Sequence, residues 1–158
     1  MPKKSADQWF AEYGESHQNH TNELIHWICV PVIFFCVVGL VWSIPAPAAW
    51  LERLPWFDWA LPVMVLALLF YVRLSPLLSL GLLAFMSLCY AGVLAISLYA
   101  PWPVWQVCLA LFVLAWIGQF VGHKIEGKKP SFFKDVQFLL IGPAWLLSFI
   151  YKKAGQRY

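Results

Sequence analysis

The chain has 158 residues, 61% of them hydrophobic and only 12% charged, with a net charge of +3. A soluble domain carries roughly 25% charged residues, and a chain this short cannot bury so much apolar surface in water. The composition therefore excludes a disordered chain and a nucleic-acid-binding protein, argues against a soluble enzyme, and points to a single-domain, all-α integral membrane protein over residues 1–158.

Residues 1–26 are polar and have no apolar h-region, so the expectation is a cytoplasmic segment with no cleavable signal, inserted by the first span itself. Ser5 and Gln8 have capping-box spacing. Trp9, Phe10 and Tyr13 then share one helical face opposite Asp7 and Glu15, which predicts an amphipathic helix over 5–16, lying on the membrane surface or packed on the protein's own loops. The first span is Trp27–Ile44, eighteen residues without a charge, with Thr21 or Asn22 as the helix cap. Pro45 and Pro47 end it. A loop carrying Glu52 and Arg53 leads to a second span near Phe57–Val72, with Asp58 at its mouth.

Arg73-Leu-Ser-Pro76 interrupts the apolar run, because a residue before proline disfavours helix. A third span follows at about Leu77–Tyr99, then Pro101 and Pro103, then a fourth at about Pro103–Val121. The four spans occupy 27–121, and the ten Trp, twelve Phe and six Tyr suit aromatic belts at two interfaces. Residues 122–158 hold a polar segment, Gly122–Asp135, and a short apolar run, Val136–Tyr151, broken at Gly142-Pro143. That run predicts a re-entrant or interfacial hairpin, with a fifth span as the alternative. The four cysteines, Cys29, Cys36, Cys89 and Cys108, all lie in apolar runs and read as small packing residues.

With four spans, ten of the eleven Lys and Arg residues share one side and only Arg53 lies on the other, so both termini are expected in the cytoplasm. A bacterial inner membrane is expected ahead of the endoplasmic reticulum. All four histidines then fall on the same face. His17, His20 and His26 precede the first span and His123 follows the fourth. Imidazoles gathered at one membrane face suit either a metal site or acid–base chemistry. His17 and His26 are nine residues apart, half a turn out of phase on one helix, so a break near Asn19–Asn22 is needed to aim both at one point. Trp116, Gln119, His123 and Glu126 form a single helical stripe, beside a Gly118-x-x-x-Gly122 face that lets another helix approach. A polar stripe leaving an apolar span is costly unless it lines a pocket or the protein interior. Lys128, Lys129 and Lys134 serve as positive-inside residues or as a rim that attracts a carboxylate headgroup.

The string Tyr13-x-x-x-His17-x-Asn19-x-x-Asn22-x-x-Ile25-His26-x-x-x-Val30-Pro31 resembles the N-terminal motif of the 2-hydroxy fatty acid dioxygenase family. Trp116-x-x-Gln119-Phe120-x-Gly122-His123, followed by Glu126, Lys129-Pro130, Asp135 and Pro143, resembles its second motif. The two motifs cover about 50 residues, and chain size and span layout match throughout. The resemblance implies an iron(II) dioxygenase that converts a 2-hydroxy fatty acid and O₂ to the acid one carbon shorter, with membrane lipid around it. It implies His17, His26 and His123 as the Fe(2+) ligands and discounts His20, which falls at a variable position. Glu126 or Asp135 would replace one histidine or orient it, Asn22 and Gln119 would support the ring geometry, and Lys128 and Lys129 would meet the substrate carboxylate. Two alternatives stand beside this reading. One is a haem-binding electron carrier using His26 and His123. The other is a non-enzymatic membrane scaffold or small transporter.

Overall fold

The computed structural model describes residues 4–127 and 138–158. Seven helices make up the described residues, with no strand among them: α1 (Ala6–Gly14), α2 (His20–Trp42), α3 (Ala48–Leu51), α4 (Ala60–Leu74), α5 (Pro76–Tyr99), α6 (Val104–Glu126) and α7 (Ile141–Lys153). Three of them, α2, α5 and α6, are long and apolar enough to cross a bilayer. The second apolar run forms a helix of 15 residues, about 22 Å at 1.5 Å per residue, too short to count with these three. It starts at Ala60 rather than Phe57 because the Asp58 carboxylate takes the first free amides, Ala60 N at 2.9 Å and Leu61 N at 3.2 Å. The other Asp58 oxygen accepts from Tyr90 Oη at 2.6 Å, which ties the start of α4 to α5.

The first span begins earlier than its apolar run. Asn19, not Thr21 or Asn22, is the cap, and its side chain accepts from the amides of both. His20 to His26 are therefore helical, and α2 carries polar side chains into its first two turns. The fourth span likewise runs past Val121 to Glu126 and stops only at Gly127, whose φ of 74° is the left-handed conformation that ends a helix. His123 and Glu126 thus sit on the helix itself and not in a following loop. Ser75 closes α4 and caps α5 through Leu78 N at 3.2 Å, so the two helices form a hairpin with almost no connection.

The packing partners give the helix directions. Asn22 meets Gly122, Cys29 meets Gly118 and Gly39 meets Cys108, so α2 and α6 are antiparallel. Small residues at these crossings let the two backbones approach closely, and this pair is the most extensive in the molecule. On its other side α2 runs parallel to α5, with Phe34 against Phe85 and Gly92 against Phe35. Helix α7 runs antiparallel to α2. Its first turn lies against Val30 at Gly142, and its last turn reaches the start of α5, where Tyr151 Oη donates to Leu77 O at 3.1 Å. Gly142-Pro143 opens this helix instead of breaking it, since proline in a first turn displaces no intrahelical bond.

The capping box at Ser5 and Gln8 is formed, and Phe10 and Tyr13 are buried. They pack on Phe138, Trp145 and Tyr158. The buried face of α1 therefore packs on the protein's own C-terminal part. The Trp50, Phe57 and Trp59 rings cluster at the opposite end of the bundle, with centroids 5.4–5.5 Å apart.

A methyl group at Gly39 would overlap Cys108 Sγ and press on Val93. Gly39→Ala is expected to cost about 1–3 kcal/mol, the usual penalty for overfilling a packed core. Thermal unfolding in detergent micelles measures it, and adding Cys108→Ala should restore part of the loss.

Candidate metal centre

Three of the four histidines converge. His17 lies just past α1, His26 in the second turn of α2 and His123 in the last turn of α6. One ring nitrogen from each lies within 4.8 Å of the others, and all three side chains are buried. The ring centroids of His17 and His26 are 4.1 Å apart, of His26 and His123 5.0 Å, and of His17 and His123 5.5 Å, all edge to face. His20 is exposed and outside the cluster.

The local chain explains the convergence. His17 N bonds Gly14 O at 3.0 Å as α1 closes, and the Asn19 cap then starts α2 in a new direction. This break corrects the half-turn mismatch between positions 17 and 26. Each ring is then fixed by the backbone four residues earlier. His17 Nδ1 lies 2.7 Å from Tyr13 O, and His26 Nδ1 lies 2.9 Å from Asn22 O. A carbonyl only accepts, so Nδ1 carries the proton in both rings. In the neutral imidazole the lone pair is therefore on Nε2, the arrangement found in metal-ligating histidines. His26 Nε2 is buried and makes no well-formed hydrogen bond among the described residues. Gln119, buried one turn before His123, stands beside the His26 ring.

Asn22 and Glu126 hold the frame and do not enter the cluster. Glu126 Oε1 accepts from Gln18 N at 3.0 Å, and its Oε2 accepts from Asn19 N at 2.8 Å and from Asn22 Nδ2 at 3.2 Å. One carboxylate at the end of α6 thus gathers donors from the α1–α2 turn and the first turns of α2. Asn22 Nδ2 also donates to Ser16 O at 3.1 Å. The Asn22 side chain lies directly on Gly122, where any Cβ would overlap its Oδ1. The Gly118-x-x-x-Gly122 face is thus the surface against which α2 places Asn22 and Cys29.

Two groups beside the cluster were not among the site residues expected from the sequence, although Tyr13 opens the N-terminal motif. The Tyr13 ring stacks on His17 at 4.4 Å and 13°, and Trp145 lies 5.5 Å from His17. Tyr13 had a signal, an aromatic residue one turn before a histidine. Trp145 had none, because nothing local marks one tryptophan of an apolar run as the one that folds back. Lys128, Lys129, Lys134 and Asp135 lie outside the described residues. A small cavity of about 40 Å³ is lined by Tyr13, Val30, Ile33, Trp116, Gln119 and Leu139 among others, of which Tyr13 packs on His17 and Gln119 stands beside His26.

Two buried, pre-oriented imidazoles with a third beside them form a donor set with the residue types and spacing of a metal site. The sequence profile of the 2-hydroxy-palmitic acid dioxygenase Mpo1-like family matches residues 3–154. The chain belongs to this family. The match spans nearly the whole chain and includes all three histidines of the cluster and every helix from α1 to α7. Neither the curated proteins nor the solved structures contain a match to it.

Glu126→Gln would replace one accepting oxygen with an amide NH₂ that faces one or two of the three donors. It is expected to cost about 1–3 kcal/mol, the range for stranding buried polar groups, and to speed amide exchange at Gln18 and Asn19. Hydrogen exchange by mass spectrometry reads both sites. Unaltered protection would show that the turn stands without the carboxylate.

Proposed function

We propose that this chain is an iron(II)-dependent membrane dioxygenase that shortens 2-hydroxy fatty acids by one carbon. The observation that carries the reading is the buried convergence of His17, His26 and His123 in a chain whose family is described by a 2-hydroxy-palmitic acid dioxygenase. The overall reaction balances with no further reductant. One 2-hydroxy acid and one O₂ give the acid one carbon shorter, CO₂ and water. The carbon skeleton loses four electrons and O₂ takes four. No flavin or nicotinamide site is required.

His17, His26 and His123 would hold the iron through one nitrogen each. Three protein ligands leave positions for substrate and O₂. Bound there, iron(II) supplies the centre at which O₂ is reduced next to the substrate's carboxylate and 2-hydroxyl. The protein's part is to keep the rings fixed and the water out. The Tyr13 and Asn22 carbonyls hold two imidazoles in the ligating tautomer. Glu126 and Asn22 keep the His17 turn against α6. Gln119 offers its amide to the His26 side of the site. Tyr13 and Trp145 cover the His17 ring. Lys128 and Lys129, directly after α6 in the sequence, would draw the carboxylate, and Asp135 would support a ligand or the rim.

The membrane placement belongs to the same proposal. Helices α2, α4, α5 and α6 cross the bilayer, α4 with the aromatic residues Trp56, Phe57 and Trp59 ahead of its first turn. Helix α7, about 20 Å long and ending in Lys152 and Lys153, returns to the side it came from. Both termini are cytoplasmic, the membrane is a bacterial inner membrane, and the histidines sit at its cytoplasmic edge. A haem carrier fits the geometry poorly, because the rings pack edge to face with no gap for a porphyrin between any two.

The test is anaerobic purification in detergent, loading with ferrous iron, and addition of O₂ with 2-hydroxypalmitate. The expected outcome is about one iron per chain and equal release of CO₂ and pentadecanoate. His123→Ala should lose the iron and at least roughly a hundredfold in product, in line with the loss of metal-site groups, while His20→Ala keeps both. Product formed at full rate by His123→Ala would overturn the assignment.

A further inference from the structure

The small cavity lined by Tyr13 and Gln119, which touch His17 and His26, is not isolated. Leu139, which lines it, also lines a second and larger cavity of about 260 Å³ between α2 and α4. The second cavity is almost wholly apolar. Its walls include Phe34, Val37 and Val41 of α2 and Ala60, Val63 and Ala67 of α4. On α2 the two cavities are consecutive. His26, Val30, Ile33 and Val37 step by four, three and four, which keeps them on one face, and Val41 continues the line. From His26 to Val41 is fifteen residues, about 22 Å of helix. One bilayer leaflet, filled by a single acyl chain, is about 15 Å thick. On α4, Ala60, Val63 and Ala67 likewise share one face, and the two alanines are buried. Small side chains there leave the space that a larger residue would fill. Val63 is exposed, so the far cavity borders the lipid.

We propose that this line of cavities houses the tail of the acyl substrate, passing from the histidines under Leu139 into the α2–α4 cavity. Ala67 and Val63 then set the chain length accepted. The inference rests on the dioxygenase reading for the identity of the head group, and on the shared Leu139 wall for the path of the tail. A third cavity, also apolar, lies between α2, α5 and α7, is lined by Trp27, Leu82, Phe85 and Leu147 among others, and shares no lining residue with the small cavity at Tyr13 and Gln119. It supplies the competing path.

Two measurements on the full-length, iron-loaded protein test this. The first is photo-labelling with 2-hydroxypalmitate carrying a diazirine at its methyl end, read by peptide mass spectrometry. Label is expected on 60–67 of α4 and on 34–41 of α2. Label on Phe85 or Leu147 overturns the proposed path. The second is competitive turnover of 2-hydroxypalmitate against 2-hydroxydecanoate. Ala67→Leu should lower the long-to-short ratio by roughly tenfold, the discrimination a methylene-scale clash gives. Val63→Phe, on the lipid-facing rim where folding tolerates bulk, should lower it in the same direction. An unaltered ratio in both variants overturns the length assignment. The arms separate the two proposals. Label along α4 without turnover would keep the passage and remove the dioxygenase reading. Turnover with label elsewhere would do the reverse.

Discussion

Three imidazoles packed edge to face leave each ring very little rotational freedom, and most of the cytoplasm-proposed end of this molecule is organised around that constraint. A histidine ring has two nitrogens and two flipped orientations. Burying three together is useful only if each is held in one of these states. For His17 and His26 the protein uses the nearest available acceptor, the carbonyl one turn back. This device needs no extra side chain. It requires only that residues 13–17 and 22–26 be helical or nearly so, which explains why α2 starts seven residues before its apolar run. The Asn19 cap extends one span by about two turns into polar sequence and the Gly127 stop allows another about one and a half, and those added turns carry His26 and His123.

The second requirement is to keep two distant stretches of chain in register. His17 and His26 reach the site from one end of the sequence and His123 from more than ninety residues later. The α2–α6 crossing meets the need at three levels. Gly122 admits Asn22, Gly118 admits Cys29, and Gly39 admits Cys108. Glu126 then fastens the top of the crossing to the α1–α2 turn. A carboxylate taking three N–H donors is a stronger tie than a neutral group would be, since charge-assisted bonds are roughly twice as strong. It also places a negative charge at the start of α2, where the helix dipole favours one.

The sequence shows the parts of this arrangement that depend on local pattern. Long uncharged runs announce α2, α5 and α6, and the half-turn mismatch between His17 and His26 requires the break that Asn19 supplies. The stripe Trp116, Gln119, His123 and Glu126 is visible as steps of three and four, and the structure turns it inward. Helix ends are less visible, because they depend on which side chain captures the free amides. Asp58 shortens one helix and Asn19 lengthens another, and both residues look alike as turn formers. The role of Glu126 is hidden for a related reason. Its partners are backbone amides of a turn over a hundred residues away, and backbone donors carry no sequence signature. Trp145 is hidden because only the fold decides which apolar residue returns to the site.

The position of the cluster along α2 also has an energetic logic. Polar side chains deeper in the span would need partners from neighbouring helices, and each buried polar group without one costs a few kcal/mol. At the helix end the carbonyls of Tyr13 and Ser16 and the amides of Gln18 and Asn19 are close at hand, so the Nδ1 sides of His17 and His26, the Asn22 amide group and the Glu126 carboxylate find partners locally. Past His26 on α2 and Gln119 on α6, the interface passes into an apolar cluster of Cys29, Ile33 and Ala115. The boundary between the two regions is one helical turn thick. A molecule with a polar head and an apolar tail, bound across that turn, would place each end where the protein is already like it. On the proposed reading, this division of the α2 face accounts for a membrane location as directly as the hydropathy of the chain does.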